Sequence, residues 1–153
     1  MRWDSPFAPG ASRRSNVRMR RGAVLAAACA MWLVSLGCHR SVDGDLPREY
    51  RAVAIPAGLL TSPDAVSKGG ALFHRYCTLC HGVKGDGRGL QSEGLDPKPR
   101  DLTDPAWRRS TSPRHVFFAI REGVHGTAMP GWKSLSEEDG WELTAYVLSL
   151  SQR

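Results

Sequence analysis

The pattern of apolar and polar positions predicts helices in the C-terminal part of this chain. Three stretches there open with a serine, Ser62, Ser112 and Ser136, and serine is a favoured helix N-cap. Proline follows the first two, which suits the first helical position, and acidic residues follow the third, where the helix dipole favours negative charge. The predicted helices cover residues 63–76, 113–122 and 137–150.

The last of these helices is apolar around much of its circumference, so we expect it to be largely buried. The Gly69-Gly70 pair lies inside the first helix and lowers its intrinsic stability, which indicates that another element packs closely there. A short fourth helix begins near Asp104-Pro105. Together these elements predict an all-α fold.

An arginine cluster and an apolar run stand near the N-terminus. Three arginines within residues 18–21 precede residues 23–36, which are almost entirely apolar. The run is too short to span a bilayer comfortably and follows a basic cluster, so it favours a signal-peptide core over a buried core helix. If Met19 is the true start, residues 1–18 are a mis-assigned extension.

The apolar run ends in Ser35-Leu36-Gly37-Cys38, which resembles a bacterial lipobox. Gly37 suits the position before a lipidated cysteine, whereas Ser35 stands where the usual pattern has leucine. We therefore expect residues 1–38 to direct export, with lipidation at Cys38 and the mature protein on the periplasmic side of a bacterial membrane. Ordinary cleavage and an uncleaved anchor are the alternatives.

Most of the positive charge belongs to this leader. The full chain has a formal net charge of +6. Residues 1–38 contain six arginines and one aspartate, which leaves 15 Lys+Arg against 14 Asp+Glu over residues 39–153. The mature protein is nearly neutral, so its charge gives no support for a nucleic-acid partner.

Residues 39–61 mix charged, proline and glycine residues without sustained periodicity. We interpret them as a linker, with Pro47 and Pro56 interrupting any helix. Residues 62–153 then form one domain of 92 residues. A domain of that size has a small apolar core, and a bound group would supply part of the missing buried surface.

The segment Cys77-Thr78-Leu79-Cys80-His81 carries the chemistry of this domain. Two cysteines three positions apart, followed directly by histidine, are the attachment pattern of c-type haem: the thiols bond to one porphyrin and the imidazole becomes the fifth iron ligand. We expect one covalent haem c. A redox dithiol and a zinc site are the alternatives, but the first would need a βαβ context and the second another ligand pair, and the remaining cysteines lie in the apolar leader.

Further residues extend this motif: Gly69, Phe73, Tyr76, residues 82, 85–87, 99–102 and 126–130, and the helix over 141–150. With them, residues 62–153 resemble a class I cytochrome c domain of the small monohaem bacterial type. The resemblance implies three to four helices around one covalently attached haem. It also implies that the first and last helices cross where a glycine, Gly69 or Gly70, admits Tyr146.

Met129 is the predicted sixth iron ligand, which the resemblance also implies. It is the only methionine of residues 39–153 and stands in a loop rich in glycine and proline, where a core-packing role is unusual. His125 is the rival and would give a bis-histidine site. We interpret His74 and His115 as surface or packing residues.

Arg100 is the candidate partner for a haem propionate, with Lys98 or Arg88 behind it, and an ordinary solvated charge is the alternative for each. We also expect a backbone carbonyl within residues 97–99 to orient His81 through its second ring nitrogen.

A haem with histidine and methionine ligands has no open coordination position, so the pattern predicts single-electron transfer and no enzyme activity. We expect a carrier between respiratory or periplasmic redox proteins. One alternative is a fixed haem subunit of a multi-subunit oxidoreductase. The other is a haem-based ligand sensor, which needs a vacant or labile sixth position.

Overall fold

The computed structural model describes residues 42–152, and this part of the chain is helical without strands. The α-helices are α1 (Arg48–Ala52), α2 (Pro63–Tyr76), α3 (Thr78–His81), α4 (Pro105–Ser110), α5 (Pro113–Glu122) and α6 (Glu137–Ser149), with 3-10 turns at Leu59–Thr61 and Leu150–Gln152. The all-α prediction is confirmed. The described residues contain more helices than the three to four expected because α1 and α3 have only five and four residues, too short to produce an apolar periodicity.

The three long helices begin where their capping serines predict. Ser62 Oγ accepts a hydrogen bond from the Ala65 amide at 3.3 Å, and Ser112 Oγ accepts one from the His115 amide at 3.2 Å. Ser136 forms a reciprocal capping box with Asp139. Each cap satisfies an amide that the helix itself leaves without a partner, so these starts are determined locally.

Helices α2 and α6 cross at the glycine pair. A Cβ on Gly69 would lie 2.0 Å from the Glu142 carbonyl oxygen, so only glycine permits this backbone approach. A Cβ on Gly70 would lie 3.0 Å from the Tyr146 ring. The residue opposite Tyr146 is therefore Gly70, and Gly69 instead faces the backbone of α6.

The core lies around α6, in which all nine residues from Gly140 to Leu148 are buried. Phe73 of α2 and Leu143 of α6 are each only 1% exposed and belong to the same apolar cluster. The charged member of this buried stretch is Glu142, whose carboxylate lies 3.4 Å from Lys68 Nζ. The prediction that the terminal helix is largely buried is confirmed.

The segment interpreted as a linker differs from that prediction. Residues 42–53, which we call the strap, lie against α5: Leu46 is buried, and the Tyr50 ring meets Phe118 edge-on at 4.7 Å between centroids. Helix α1 begins directly after Pro47 and ends at Ala52, so a short helix forms between the two prolines that were expected to interrupt any helix. The strap is held by single polar and ring contacts and not by a continuous apolar face, so its sequence shows no helical periodicity.

None of the helices within residues 42–152 is long and apolar enough to cross a membrane. The predicted leader and Cys38 lie outside the described residues.

Candidate functional site

One helical turn brings the two cysteines and the histidine of the motif together. Cys77 follows α2 and caps α3, and its carbonyl accepts hydrogen bonds from the amides of Cys80 and His81 at 3.2 and 2.8 Å. The turn ends at Gly82, whose φ of 76° is in the left-handed region that favours glycine. Two thiols and an imidazole are thus presented by five consecutive positions.

Both thiols are free, and burial raises the pKa of Cys77 to about 12, with the neighbouring Cys80 adding to the shift. Reactive redox cysteines have lowered pKa values because a thiolate is the nucleophile. The environment of Cys77 therefore disfavours the redox-dithiol alternative. The zinc alternative also lacks support, since no group of three or more candidate metal ligands occurs within residues 42–152.

The His81 ring is oriented by a backbone carbonyl. Nδ1 lies 3.2 Å from the Arg100 carbonyl oxygen. Since a carbonyl can only accept, Nδ1 carries the proton and Nε2 keeps its lone pair. Burial lowers the pKa of His81, and the bond to Arg100 opposes this shift, so the net effect favours the neutral imidazole that ligates metals.

The expected carbonyl within residues 97–99 is therefore corrected to that of Arg100. The glycine-rich loop after the motif determines this register. The Leu102 amide bonds to the Gly85 carbonyl at 2.7 Å, and the Gly87 amide bonds to the His81 carbonyl at 2.9 Å. A Cβ on Gly87 would lie 2.5 Å from the Pro99 carbonyl oxygen, so glycine is required for the two segments to meet.

Two of the three basic candidates near the motif, Lys98 and Arg100, differ in their contacts. Lys98 Nζ donates to the Ser92 carbonyl at 3.2 Å, so its charge is already engaged. The exposed Arg100 guanidinium has no hydrogen-bond or ion-pair partner within the described part of the chain. A second arginine that the sequence did not single out is Arg108 of α4, whose Nε is buried and likewise lacks a partner among the described residues.

Met129 lies in the loop between α5 and α6, and hydrogen bonds hold both its amide and its carbonyl. Its carbonyl accepts from the Val124 amide at 3.2 Å, and its amide donates to Thr127 Oγ1 at 3.1 Å. A Cβ on Gly123 would lie 2.7 Å from the Met129 carbonyl oxygen, so the loop returns tightly against the end of α5. Met129 is half-buried, whereas the rival His125 is exposed.

The remaining histidines have other partners. His74 is exposed at the surface of α2. His115 Nε2 lies 2.8 Å from Asp45, and its Nδ1 lies 3.4 Å from Asp43, so it joins the strap to α5. Both positions agree with the interpretation of these residues as surface or packing histidines.

Sequence reasoning missed the network that joins Tyr50, Glu122 and Lys133. Tyr50 OH donates to Glu122 Oε1 at 2.5 Å, and Lys133 Nζ lies 2.6 Å from Glu122 Oε2. Tyr50 and Glu122 are 72 residues apart, and no local pattern in the sequence indicates their contact.

The family model for cytochrome C oxidase, cbb3-type, subunit III matches residues 64–147, more than half of the chain. The chain belongs to this cytochrome c family. A chain of the reducing HAO-like protein complex of Kuenenia stuttgartiensis has a similar structure, with a TM-score of 0.54 and 31% sequence identity. The similarity covers 64% of this chain and 49% of that chain, so the match spans about half the length of the Kuenenia chain.

A cytochrome c domain binds haem c covalently, and the expectation of one such cofactor is confirmed by the family. The donor set around residues 77–81 fits this group: two free thiols three positions apart and a neutral imidazole whose Nε2 has no hydrogen-bond partner within residues 42–152. The Arg100 guanidinium and Arg108 Nε have no partner among the described residues, and haem carboxylates could satisfy both groups.

Proposed function

We propose that the protein is an exported carrier of single electrons in which Cys77 and Cys80 attach the haem, and His81 and Met129 ligate its iron. The observation that carries this proposal is the hydrogen bond from His81 Nδ1 to the Arg100 carbonyl. It leaves Nε2 as the only free ring nitrogen, on the same turn as both thiols, and a bonded second nitrogen is how ligating histidines are normally oriented.

The loop contacts support Met129 over His125 as the sixth ligand. Val124 and Thr127 bond to the carbonyl and the amide of Met129, and its side chain is partly withdrawn from solvent. His125 is exposed, and no hydrogen bond within residues 42–152 orients its imidazole. Thioether sulfur favours ferrous iron and raises the potential relative to a bis-histidine site.

Haem c supplies one-electron redox chemistry when bound. His81 and Met129 would both hold its iron, which would leave no coordination site open to oxygen, peroxide or a substrate. Arg100 would pair with a propionate, since its guanidinium has no other partner within residues 42–152. This arrangement supports transfer between protein partners and not catalysis or ligand sensing.

Redox titration of the purified holoprotein tests the carrier function. We expect a reversible one-electron transition for each chain, and no complex of the reduced protein with carbon monoxide, because Met129 occupies the sixth position. The measurement is a potentiometric titration followed by visible absorbance, with carbon monoxide added to the reduced sample. Stoichiometric binding of carbon monoxide by the unsubstituted protein would contradict the carrier function and support a sensor.

A fixed subunit of an oxidoreductase is the second candidate function. Two observations favour it: the matching family model is described as an oxidase subunit, and the similar Kuenenia chain belongs to a protein complex. Solubilisation of native membranes in mild detergent distinguishes the two, since a subunit co-purifies with its partners in fixed stoichiometry and a carrier purifies alone.

We further propose that the carrier is held on the periplasmic side of the membrane by a lipid on Cys38. The strap contacts α5 from Asp43 onward, so little chain separates the lipid from the folded domain. Five Cα–Cα steps join Cys38 to Asp43, which span at most about 18 Å. The anchor would therefore keep the haem domain within a short radius of its partners and raise its effective concentration near them.

Labelling with palmitate tests the anchor. The wild-type protein should incorporate label and stay with membranes, since each buried methylene contributes about 0.8 kcal/mol and more than one acyl chain gives stable attachment. Cys38→Ser should lose the label, whereas Cys29→Ser, the matched control in the same leader, should keep it. An unlabelled wild-type protein with a mature N-terminus other than Cys38 would disprove the lipid anchor.

A further inference from the structure

Glu122, the last residue of α5, connects the strap to the loop that carries Met129. One of its carboxylate oxygens accepts from the Tyr50 hydroxyl at 2.5 Å, and the other lies 2.6 Å from Lys133 Nζ. Tyr50 belongs to the strap. Lys133 stands four residues after Met129, in the part of the loop that follows Met129, which we call the returning limb. A single carboxylate thus joins two segments that are remote in sequence.

Tyr50 is fixed on α5 by the contacts of the strap around it. At one end of α5, Arg114 Nη1 lies 3.2 Å from the Asp43 carboxylate, and Arg114 Nε donates to the Val53 carbonyl at 3.0 Å. These bonds hold the strap on both sides of α1. The ring of Tyr50 packs edge-on against Phe118, so its hydroxyl is presented to Glu122 from a defined position.

The charge states suit this network at neutral pH. Burial, followed by the hydrogen bond to Glu122, raises the pKa of Tyr50 to about 12, so the hydroxyl stays protonated and can donate. Hydrogen bonds from Lys133 and Tyr50 lower the pKa of Glu122, so the carboxylate stays ionised and can accept both. The network is therefore present across the physiological range.

The returning limb of the loop is pressed onto the last turn of α5 next to this network. The Trp132 amide bonds to the Ile120 carbonyl at 2.8 Å, and a Cβ on Gly131 would lie 2.7 Å from the Arg121 carbonyl oxygen. Lys133 follows directly, so its contact with Glu122 fastens the end of the limb. A loop fastened here has fewer conformations in which Met129 can move away.

We propose that Tyr50 and Glu122 are positioning residues for Met129. Glu122 holds the returning limb through Lys133, and Tyr50 holds the Glu122 carboxylate in the orientation that reaches Lys133. Together they shift the equilibrium of the loop toward the form in which the Met129 sulfur ligates iron. This inference rests on the proposed function, in which Met129 is the sixth ligand.

The test uses the ferric holoprotein and two readouts: the near-infrared sulfur-to-iron charge-transfer band and the apparent affinity for cyanide, which competes with Met129. Tyr50→Phe removes only the hydroxyl, and Glu122→Gln removes only the charge. Each should raise the apparent cyanide affinity about two- to fivefold, the effect of losing one solvent-exposed charged contact. The apparent cyanide affinity of the double variant should be only slightly higher than that of Glu122→Gln, because both residues act through one contact.

Lys68→Gln is the matched control, because it breaks an ion pair on α2 and α6 that has no link to the loop. It should lower the thermal midpoint without changing cyanide affinity. If Tyr50 only stabilised the fold, the change in cyanide affinity would track the change in thermal midpoint in every variant, Lys68→Gln included. That outcome would overturn the proposal.

Further outcomes separate this inference from the ligation itself. Unchanged cyanide affinity in Tyr50→Phe or in Glu122→Gln, while Met129→Ala loses the band, would overturn the positioning role and leave the ligation intact. A band that persists in Met129→Ala would refute the ligation, and the positioning role with it.

Discussion

Replacing Cys77 and Cys80 together by alanine is expected to abolish covalent haem retention, and each single replacement is expected to weaken it. Protein made with a cytochrome c maturation system should keep one haem per chain after acid–acetone extraction. Each thiol forms one thioether bond, so a single variant keeps one bond and the double variant none. The measurement is the haem absorbance that stays with the precipitated protein, supported by haem staining after denaturing electrophoresis.

The structural reason for this large effect is that one turn carries all three groups. Cys77 caps α3, and the amides of Cys80 and His81 donate to its carbonyl. Within residues 42–152 no other cysteine could replace either thiol. Thr78→Ala is the matched control, because Thr78 lies between the cysteines and its hydroxyl only donates to the His74 carbonyl at 3.0 Å. Free extraction of haem from the unsubstituted protein would refute the assignment of residues 77–81.

Replacing Met129 by alanine is expected to abolish the near-infrared charge-transfer band, lower the reduction potential and open the iron to carbon monoxide and cyanide. The band requires a sulfur ligand, and the potential falls because thioether sulfur stabilises ferrous iron. Each tenfold loss of preference for the ferrous form lowers a one-electron potential by about 59 mV. We expect a fall at least that large, measured by potentiometric titration.

His125→Ala is the control for this prediction. His125 lies in the same loop and is exposed, so its loss should leave the band, the potential and the binding of external ligands unchanged. The opposite pattern, in which Met129→Ala is silent and His125→Ala changes the spectrum, would reassign the sixth ligand to His125.

Haem attachment and ligation by Met129 differ in how far they depend on residues that are close in sequence. The attachment residues stand within five consecutive positions, so the spacing alone presents them to one porphyrin. Met129 is 48 positions beyond His81, and its place depends on how the loop after α5 closes. The sequence supports Met129 as a candidate because no other methionine is present in residues 39–153, but it does not show what holds the loop.

The helix starts and the attachment motif are encoded locally in the sequence. Ser62, Ser112 and Ser136 each cap a helix through an amide three residues away, so the signal and its partner lie in one short window. The same holds for residues 77–81, whose chemistry depends on their closeness along the chain. The buried last helix could also be predicted, because its apolar positions occupy most of its circumference.

The contacts between residues remote in sequence depend on the tertiary fold. It placed the Arg100 carbonyl, and not one within residues 97–99, at His81, because the register follows from the contact of Gly87 with Pro99. In the fold, Gly70 contacts the Tyr146 ring and Gly69 contacts the α6 backbone. This difference of one position depends on how the two helices cross.

The packing of the strap and the contacts of the Tyr50–Glu122–Lys133 network also depend on the tertiary fold. Tyr50 and Glu122 are 72 residues apart, and neither belongs to a repeating pattern that would indicate their contact. Capping and apolar periodicity are encoded within three or four residues because they arise from the geometry of one helix. A contact between a strap and a loop depends on how separate elements pack, so it becomes visible only in the folded chain.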